Sequence, residues 1–187
     1  RLATSSGKSL IISLIAEFFR QQNMKGLLLV PNINLLEQFH NDIKDYNLNN
    51  LYENTHIIGG GSTDRHFNMP LTISTWQSLL KYKDLVQDLD YIICDELQRF
   101  ASQETSDIIT KSINSKYKFG FTGTIPEDPT MKMQLFGLFG LPKTYITARE
   151  LIDRKLATPV YINSIIFQYN SQDLKILRNE SNYSKKL

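Results

Sequence analysis

One cysteine, Cys94, stands in 187 residues. A lone thiol cannot close an intrachain disulfide, so a disulfide-stapled secreted fold is excluded. Long apolar runs are missing as well, and no stretch approaches the ~18 residues of a membrane span. No signal peptide is recognisable. These absences make a cytoplasmic location the expectation, in the host cytoplasm if the source is viral. A dominant charge is also lacking: 21 Lys and Arg against 19 Asp and Glu give a formal net charge of +2. Any nucleic-acid surface must then be a local patch and not a global field. No internal repeat is visible. The chain opens on Arg1 and not on Met, as a fragment of a longer chain would.

What is present is ordinary globular material. Hydrophobic residues are 41% and charged residues 21%, which excludes disorder over most of the chain. The length suits one domain with some residues over. Leu10, Ile11, Leu14, Ile15, Phe18 and Phe19 recur at helical spacing, so residues 7–22 read as an amphipathic helix. Leu27 to Val30 is a wholly apolar run stopped by Pro31, the pattern of a strand buried on both faces. Asn32 is placed to cap a second helix marked by Leu35, Leu36, Phe39 and Ile43. Further strands are expected near Ile57–Ile58, over Leu71–Ser74, Tyr91–Cys94 and Phe119–Phe121, with helices after Thr75, over Ser102–Ile113 and near residues 147–155. The apolar run Val160–Phe167 follows, and the segment from Asn170 on is polar. Such alternation predicts an α/β fold with a mainly parallel sheet flanked by helices. In such sheets ligands sit beyond the carboxyl ends of the strands. Thr75, Asp95, Glu96, Thr122 and Thr124 all fall at expected strand ends.

Residues 2–9, LATSSGKS, match the last three positions of GxxxxGK[ST], with Leu2 where the first Gly would be. A turn of small residues lets backbone N–H groups converge on phosphate oxygens, and the helix that starts there adds its positive dipole end. Lys8 is then placed for the β- and γ-phosphates and Ser9 for Mg²⁺. The tripeptide alone arises by chance in a chain this long on the order of one time in ten. Its position at the head of an amphipathic helix is what singles it out. In YIICDELQ, Asp95 and Glu96 follow a buried strand. Two such acids cost desolvation unless a cation or a reaction uses them. With nucleotide bound, Asp95 suits the metal and Glu96 the attacking water, while a solvated turn is the other reading.

LATSSGKS, VPNINLLEQF, ISTWQSL, CDELQ and FGFTGTIP, in chain order, resemble the motifs of the first RecA-like motor domain of superfamily 2 helicases. IIGGGS, ISTWQS and TARELIDRKLATPVYINSIIFQY are similar to the T-even phage branch of those helicases. The resemblance implies a RecA-like P-loop NTPase domain over residues 1–169, truncated at its N-terminus, with 170–187 a linker toward a missing second RecA-like domain. It implies ATP and Mg²⁺ as cofactors, bound by Thr4, Ser5, Ser6, Gly7, Lys8 and Ser9, with Ser9 and Asp95 as metal ligands. Lys8, Asp95, Glu96 and Gln98 would form the catalytic set. Thr122, Gly123 and Thr124 would couple hydrolysis to domain movement. Pro31, Asn32, Gly60, Thr75 and Gln77 would grip the nucleic-acid backbone, independently of sequence and with sensitivity to salt. The implied whole is an ATP hydrolase and DNA helicase or translocase that remodels branched or annealed DNA, with no membrane partner. A restriction-type translocase subunit, an RNA helicase of the same superfamily and a nucleic-acid-binding module without catalysis are the alternatives.

The pattern departs from the family's in three places. Ser5 stands where Gly is common, and Gln98 replaces the usual His of DEAH or DECH, keeping a donor and an acceptor but no ionisation. Neither an arginine finger nor the upstream adenine-reading segment is seen. Among the remaining residues, His40, His56 and His66 have no ligand spacing with Cys94, so no zinc site is expected. His40 is expected on a helix surface, Cys94 in the core, and Trp76 and the Met131–Phe139 stripe in packing. Gly59–Gly61 reads equally as a turn or as a phosphate-approaching loop, and Lys185–Lys186 as a solvated end.

Overall fold

The computed structural model describes residues 6–59, 61, 64–100, 103–159, 161 and 163–166. The elements run α1 (Lys8–Gln21), β1 (Gly26–Val30), α2 (Ile33–Asp45), α3 (Asn49–Glu53), β2 (Thr55–Ile58), β3 (Leu71–Thr75), α4 (Trp76–Leu79), β4 (Tyr91–Cys94), α5 (Gln103–Lys111), β5 (Tyr117–Gly120), α6 (Pro129–Phe139) and α7 (Ala148–Asp153). Short 3₁₀ turns cover Lys83–Val86 and Leu97–Phe100. Described residues up to Ala157 belong to one compact unit, and those from Thr158 on belong to another. In the second unit, residues 158, 159, 161 and 163–166 adopt no helix or strand.

All five strands are parallel, in the order β2-β3-β1-β4-β5. β1 and β4 are mainly apolar runs because helices cover both faces, and every residue of β1, β3 and β4 is buried, including Thr72, Ser74 and Thr75 of β3. One core lies between the sheet and α1, α2 and α3, built on Ile12, Phe19, Leu36, Phe39, Ile43 and Tyr91. The other face holds Leu27, Leu79, Val86, Ile92, Ile108 and Leu135. Tyr91 is wholly buried, stacks on Phe19 with centroids 4.5 Å apart, and donates its hydroxyl to the Pro70 carbonyl. Gly26 is required beneath it, since a Cβ there would overlap the Tyr91 ring.

The expected helices and strands are present with small shifts. The largest shift is in the last strand, which runs from Tyr117 to Gly120 and not from 119 to 121; its final ladder bond runs from Phe121 N to the Cys94 carbonyl. The Met131–Phe139 stripe forms α6, but only Leu135 is buried there, and Met133 is 79% exposed. Within the stripe the packing is carried by Leu135, with Phe136, Leu138 and Phe139 partly buried against the second core. Trp76 packs against the second core and Cys94 is buried in it, its thiol pushed up by burial and by Asp95. His40 corrects the expectation of a surface residue: it is half-buried and stacks on Tyr52 at 4.3 Å, and the lost hydration lowers its pKa.

The sheet leaves one side open. β5 is its edge strand, and Leu14 and Phe18 of α1 stay 50% and 57% exposed beside it. Ile11, Ile15, Phe119, Phe121, Leu135 and Phe136 help line an apolar cleft of about 510 Å³ there.

Candidate functional site

Parallel strands end on the same side, so the register decides which residues meet. Val30 pairs with Thr75, Leu29 with Cys94, and Cys94 with Gly120. Thr75, Val30, Asp95 and Phe121 therefore stand level at the strand ends, with Pro31 and Glu96 one residue beyond, and the Gly-Lys-Ser turn opens α1. Asp95 N donates to the Leu29 carbonyl and Leu97 N to the Phe121 carbonyl, which fixes the acid pair against both neighbours.

Gly7 takes the N-cap position of α1 with φ 79°, a left-handed conformation that glycine adopts without strain. No side chain among the described residues caps that helix, so its first turn is left to another acceptor. Ser6 Oγ is buried there without a partner among the described residues. Lys8 Nζ lies 3.9 Å from Glu96 Oε1. The Ser9 hydroxyl meets the Tyr46 hydroxyl at 2.7 Å. Tyr46 at the end of α2 was not suggested by the sequence, and no pattern within it signals a contact 37 positions away.

Asp95 is 5% exposed, and its Oδ1 has no hydrogen-bond partner among the described residues. Burial first, and the neighbouring Glu96 charge second, push its pKa up to about 6, against a smaller pull from Lys8. Glu96 itself has φ 52°, a strained value for a non-glycine residue, costing about 1–2 kcal/mol. Gln98 Nε2 donates to Glu96 Oε2 at 2.6 Å, and Gln98 Oε1 accepts from the Thr122 hydroxyl at 2.5 Å. The Thr122 hydroxyl also lies against the Thr124 carbonyl and accepts from Thr124 N at 3.2 Å. It has one proton, so Gln98 and the Thr124 carbonyl compete for it. Gly123 lies between the two threonines, half-buried.

The remaining expected residues are placed as follows. Pro31 is buried behind β1, and Asn32 Oδ1 caps α2 by accepting from Leu35 N at 2.9 Å. The Thr75 hydroxyl caps α4 and bonds Ser78 Oγ at 2.9 Å, while Gln77 on that helix is exposed. Thr4, Ser5 and Gly60 lie outside the described residues.

The donor set suits an Mg²⁺–nucleotide group on grounds of this structure alone. A buried carboxylate oxygen without a partner, a buried serine hydroxyl without one, and an uncapped helix start converge with one ammonium. Each lacks a partner that a phosphate or its metal would supply.

A parallel sheet that gathers a Gly-Lys-Ser turn, an acid pair and a threonine at one edge is the RecA-like arrangement. Residues 1–127 match the family described as the type III restriction enzyme, res subunit. The ATP-dependent DNA helicase uvsW of Enterobacteria phage T4 is 32% identical over 173 residues, which cover 90% of this chain and 34% of that protein. The crystal structure of the UvsW helicase from bacteriophage T4 superposes with a TM-score of 0.64 at 30% identity, over 75% of this chain and 51% of that one. The Pyrococcus furiosus Hef helicase domain superposes with a TM-score of 0.69 over 86% of this chain and 37% of that one; at 21% identity it shows the fold alone. The chain belongs to the type III restriction enzyme res-subunit family and is a first RecA-like domain of superfamily 2 helicases. It spans about a third of the length of the curated relative it matches. No described helix is long and apolar enough to cross a membrane.

Proposed function

We propose that this chain is the ATP-binding half of a DNA helicase or translocase motor that remodels branched or annealed DNA. The carrying observation is the unpartnered Asp95 Oδ1 beside Lys8, Glu96 and the Gly7 turn. Ser6, Gly7, Lys8 and Ser9, with Thr4 and Ser5 before them, would hold the phosphates of ATP. Ser9 and Asp95 would hold Mg²⁺, which supplies neutralisation of phosphate charge when bound. Lys8 then exchanges Glu96 for phosphate oxygens, and that frees Glu96 to take a proton from water at its carboxylate. Gln98 and Thr122 orient Glu96 through the bond between their side chains.

Two further parts belong to the same reading. The domain runs over residues 1–169, and 170–187 lead toward a second RecA-like domain that closes the nucleotide site. Pro31, Asn32, Thr75 and Gln77, together with Gly60, would grip the DNA backbone, with Asn32 and Thr75 doing so chiefly through backbone groups because their side chains already serve as caps. The phage T4 relative uvsW is named an ATP-dependent DNA helicase, which favours DNA over RNA. The family description favours a translocase subunit as the second reading. A cytoplasmic location accords with these partners.

ATP turnover by the full-length protein, with and without branched DNA, tests the proposal. DNA-stimulated turnover that falls by roughly 10² or more in Glu96→Gln, with ATP binding retained, is the expected result. Stimulation by RNA alone, or turnover unchanged by the substitution, overturns it.

A further inference from the structure

A second group of ligating side chains assembles at the opposite edge of the sheet, away from the nucleotide residues. His56 lies on the outermost strand β2, and Asp64 and His66 lie on the chain that returns from β2 to β3. One donor atom from each lies within 4.8 Å of the other two. The His56 and His66 rings stack with centroids 4.0 Å apart and planes 18° apart. Asp64 Oδ2 is 3.4 Å from His66 Nε2. His56 and His66 have no ligand spacing with Cys94 in the sequence; folding brings them to Asp64 instead.

The polar atoms around this trio are incompletely satisfied. His56 Nε2 is buried with no hydrogen-bond partner among the described residues. The strand register places Thr72 beside His56, and Thr72, wholly buried, has an equally unpartnered Oγ1. Each such buried atom has given up its water without a replacement partner, which disfavours the folded chain. A cation accepting the His56 lone pair removes that cost where no protein donor reaches it.

We propose that His56, Asp64 and His66 form a binding site for a divalent transition-metal ion of the zinc type, completed by water. Two imidazoles and one carboxylate are a donor set that zinc takes at bond lengths of ~2.0–2.2 Å. Tetrahedral geometry at those lengths sets donors roughly 3.3 Å apart, so the trio contracts on binding. Asp64, with a side chain 65% exposed, and His66 are the members that move, since His56 is fixed in the ladder. His66 Nδ1 accepts from Asn68 N at 3.4 Å, a long contact that is released when Nε2 takes the metal and Nδ1 carries the proton. Between the two ligands of that segment, Arg65 covers the Tyr82 ring at 4.5 Å and donates to the Ser78 carbonyl. A bound ion therefore ties the described part of the return segment, through Asp64 and His66, to strand β2.

The test is a Co²⁺ titration of untagged full-length protein, stripped with EDTA, followed by Zn²⁺ displacement. One equivalent of Co²⁺ should give the visible absorption of a four-coordinate ion, and Zn²⁺ should abolish it. Asp64→Asn and His66→Ala should each weaken Co²⁺ binding at least tenfold, with unchanged circular dichroism. Asp95→Asn should keep the spectrum, which separates this site from the nucleotide site. Absence of the absorption, its survival in both Asp64→Asn and His66→Ala, or its loss in Asp95→Asn overturns the proposal. Asp64 is exposed, so its substitution keeps the test valid even if a histidine variant fails to fold.

Discussion

Gln98 Nε2 donates to Glu96 Oε2 at 2.6 Å, so an uncharged amide holds the carboxylate that stands nearest Lys8. Its other end is held by Thr122 at 2.5 Å. The amide orientation follows from these partners, because a carboxylate only accepts and the threonine hydroxyl can donate. This chain joins the acid pair to the Thr122–Thr124 segment without an ionisable group at position 98. Gln98→Ala in the full-length protein should lower DNA-stimulated ATP turnover by roughly tenfold, about 1.4 kcal/mol of barrier. Nucleotide affinity should stay within about twofold, since Gln98 is the neighbour of Glu96 and not of the phosphate turn. Steady-state kinetics beside a nucleotide titration measure both, and a loss confined to affinity contradicts the assignment.

Lys8 supplies the ammonium nearest the Gly7 turn, and its present partner is Glu96 at 3.9 Å. Lys8→Ala should weaken ATP binding at least tenfold, about 1.4 kcal/mol. Isothermal titration with ATP and Mg²⁺ reads the change directly. Coincident wild-type and variant isotherms exclude Lys8 from phosphate binding.

Asp95 is costly to fold in the absence of metal. Its pKa rises from 3.8 to about 6, which corresponds to on the order of 3 kcal/mol. Between those values the folded chain keeps the proton and the unfolded chain has lost it. Stability therefore falls as pH rises from about 4 to about 6, and stays lower above that. Asp95→Asn should raise the melting temperature of EDTA-treated protein at pH 8, and the gain should shrink toward zero near pH 4. A gain of equal size at both pH values would mean that packing, and not charge, is responsible.

Gly26 faces the Tyr91 ring with no room for a methyl group. Gly26→Ala should destabilise the domain by about 1–3 kcal/mol through overpacking, more if the Phe19–Tyr91 stack is displaced. Urea unfolding monitored by circular dichroism gives the difference, and a midpoint unchanged from wild type would show that the ring shifts freely.

The sequence by itself determined the class of fold and the cast of the candidate site. Apolar runs such as Leu27–Val30 and Tyr91–Cys94 can be satisfied only by burial on both faces, which selects parallel strands under helices. Gly7, Lys8, Asp95 and Glu96 were legible because each lies where a short-range signal changes, at a helix start or a strand end. Asn32 and Thr75 were likewise readable as residues at element boundaries, and both prove to be caps. Only the tertiary structure decided strand order, and through it which ends stand side by side. It also set the left-handed Glu96 backbone, the Gln98–Thr122 bond, the Ser9–Tyr46 contact and the His56–Asp64–His66 trio. The physical reason is range. Periodicity and capping act over a few residues and leave a mark in the local sequence, whereas contacts between residues 24 or 37 positions apart form only once sheet register and helix packing have fixed where those segments lie.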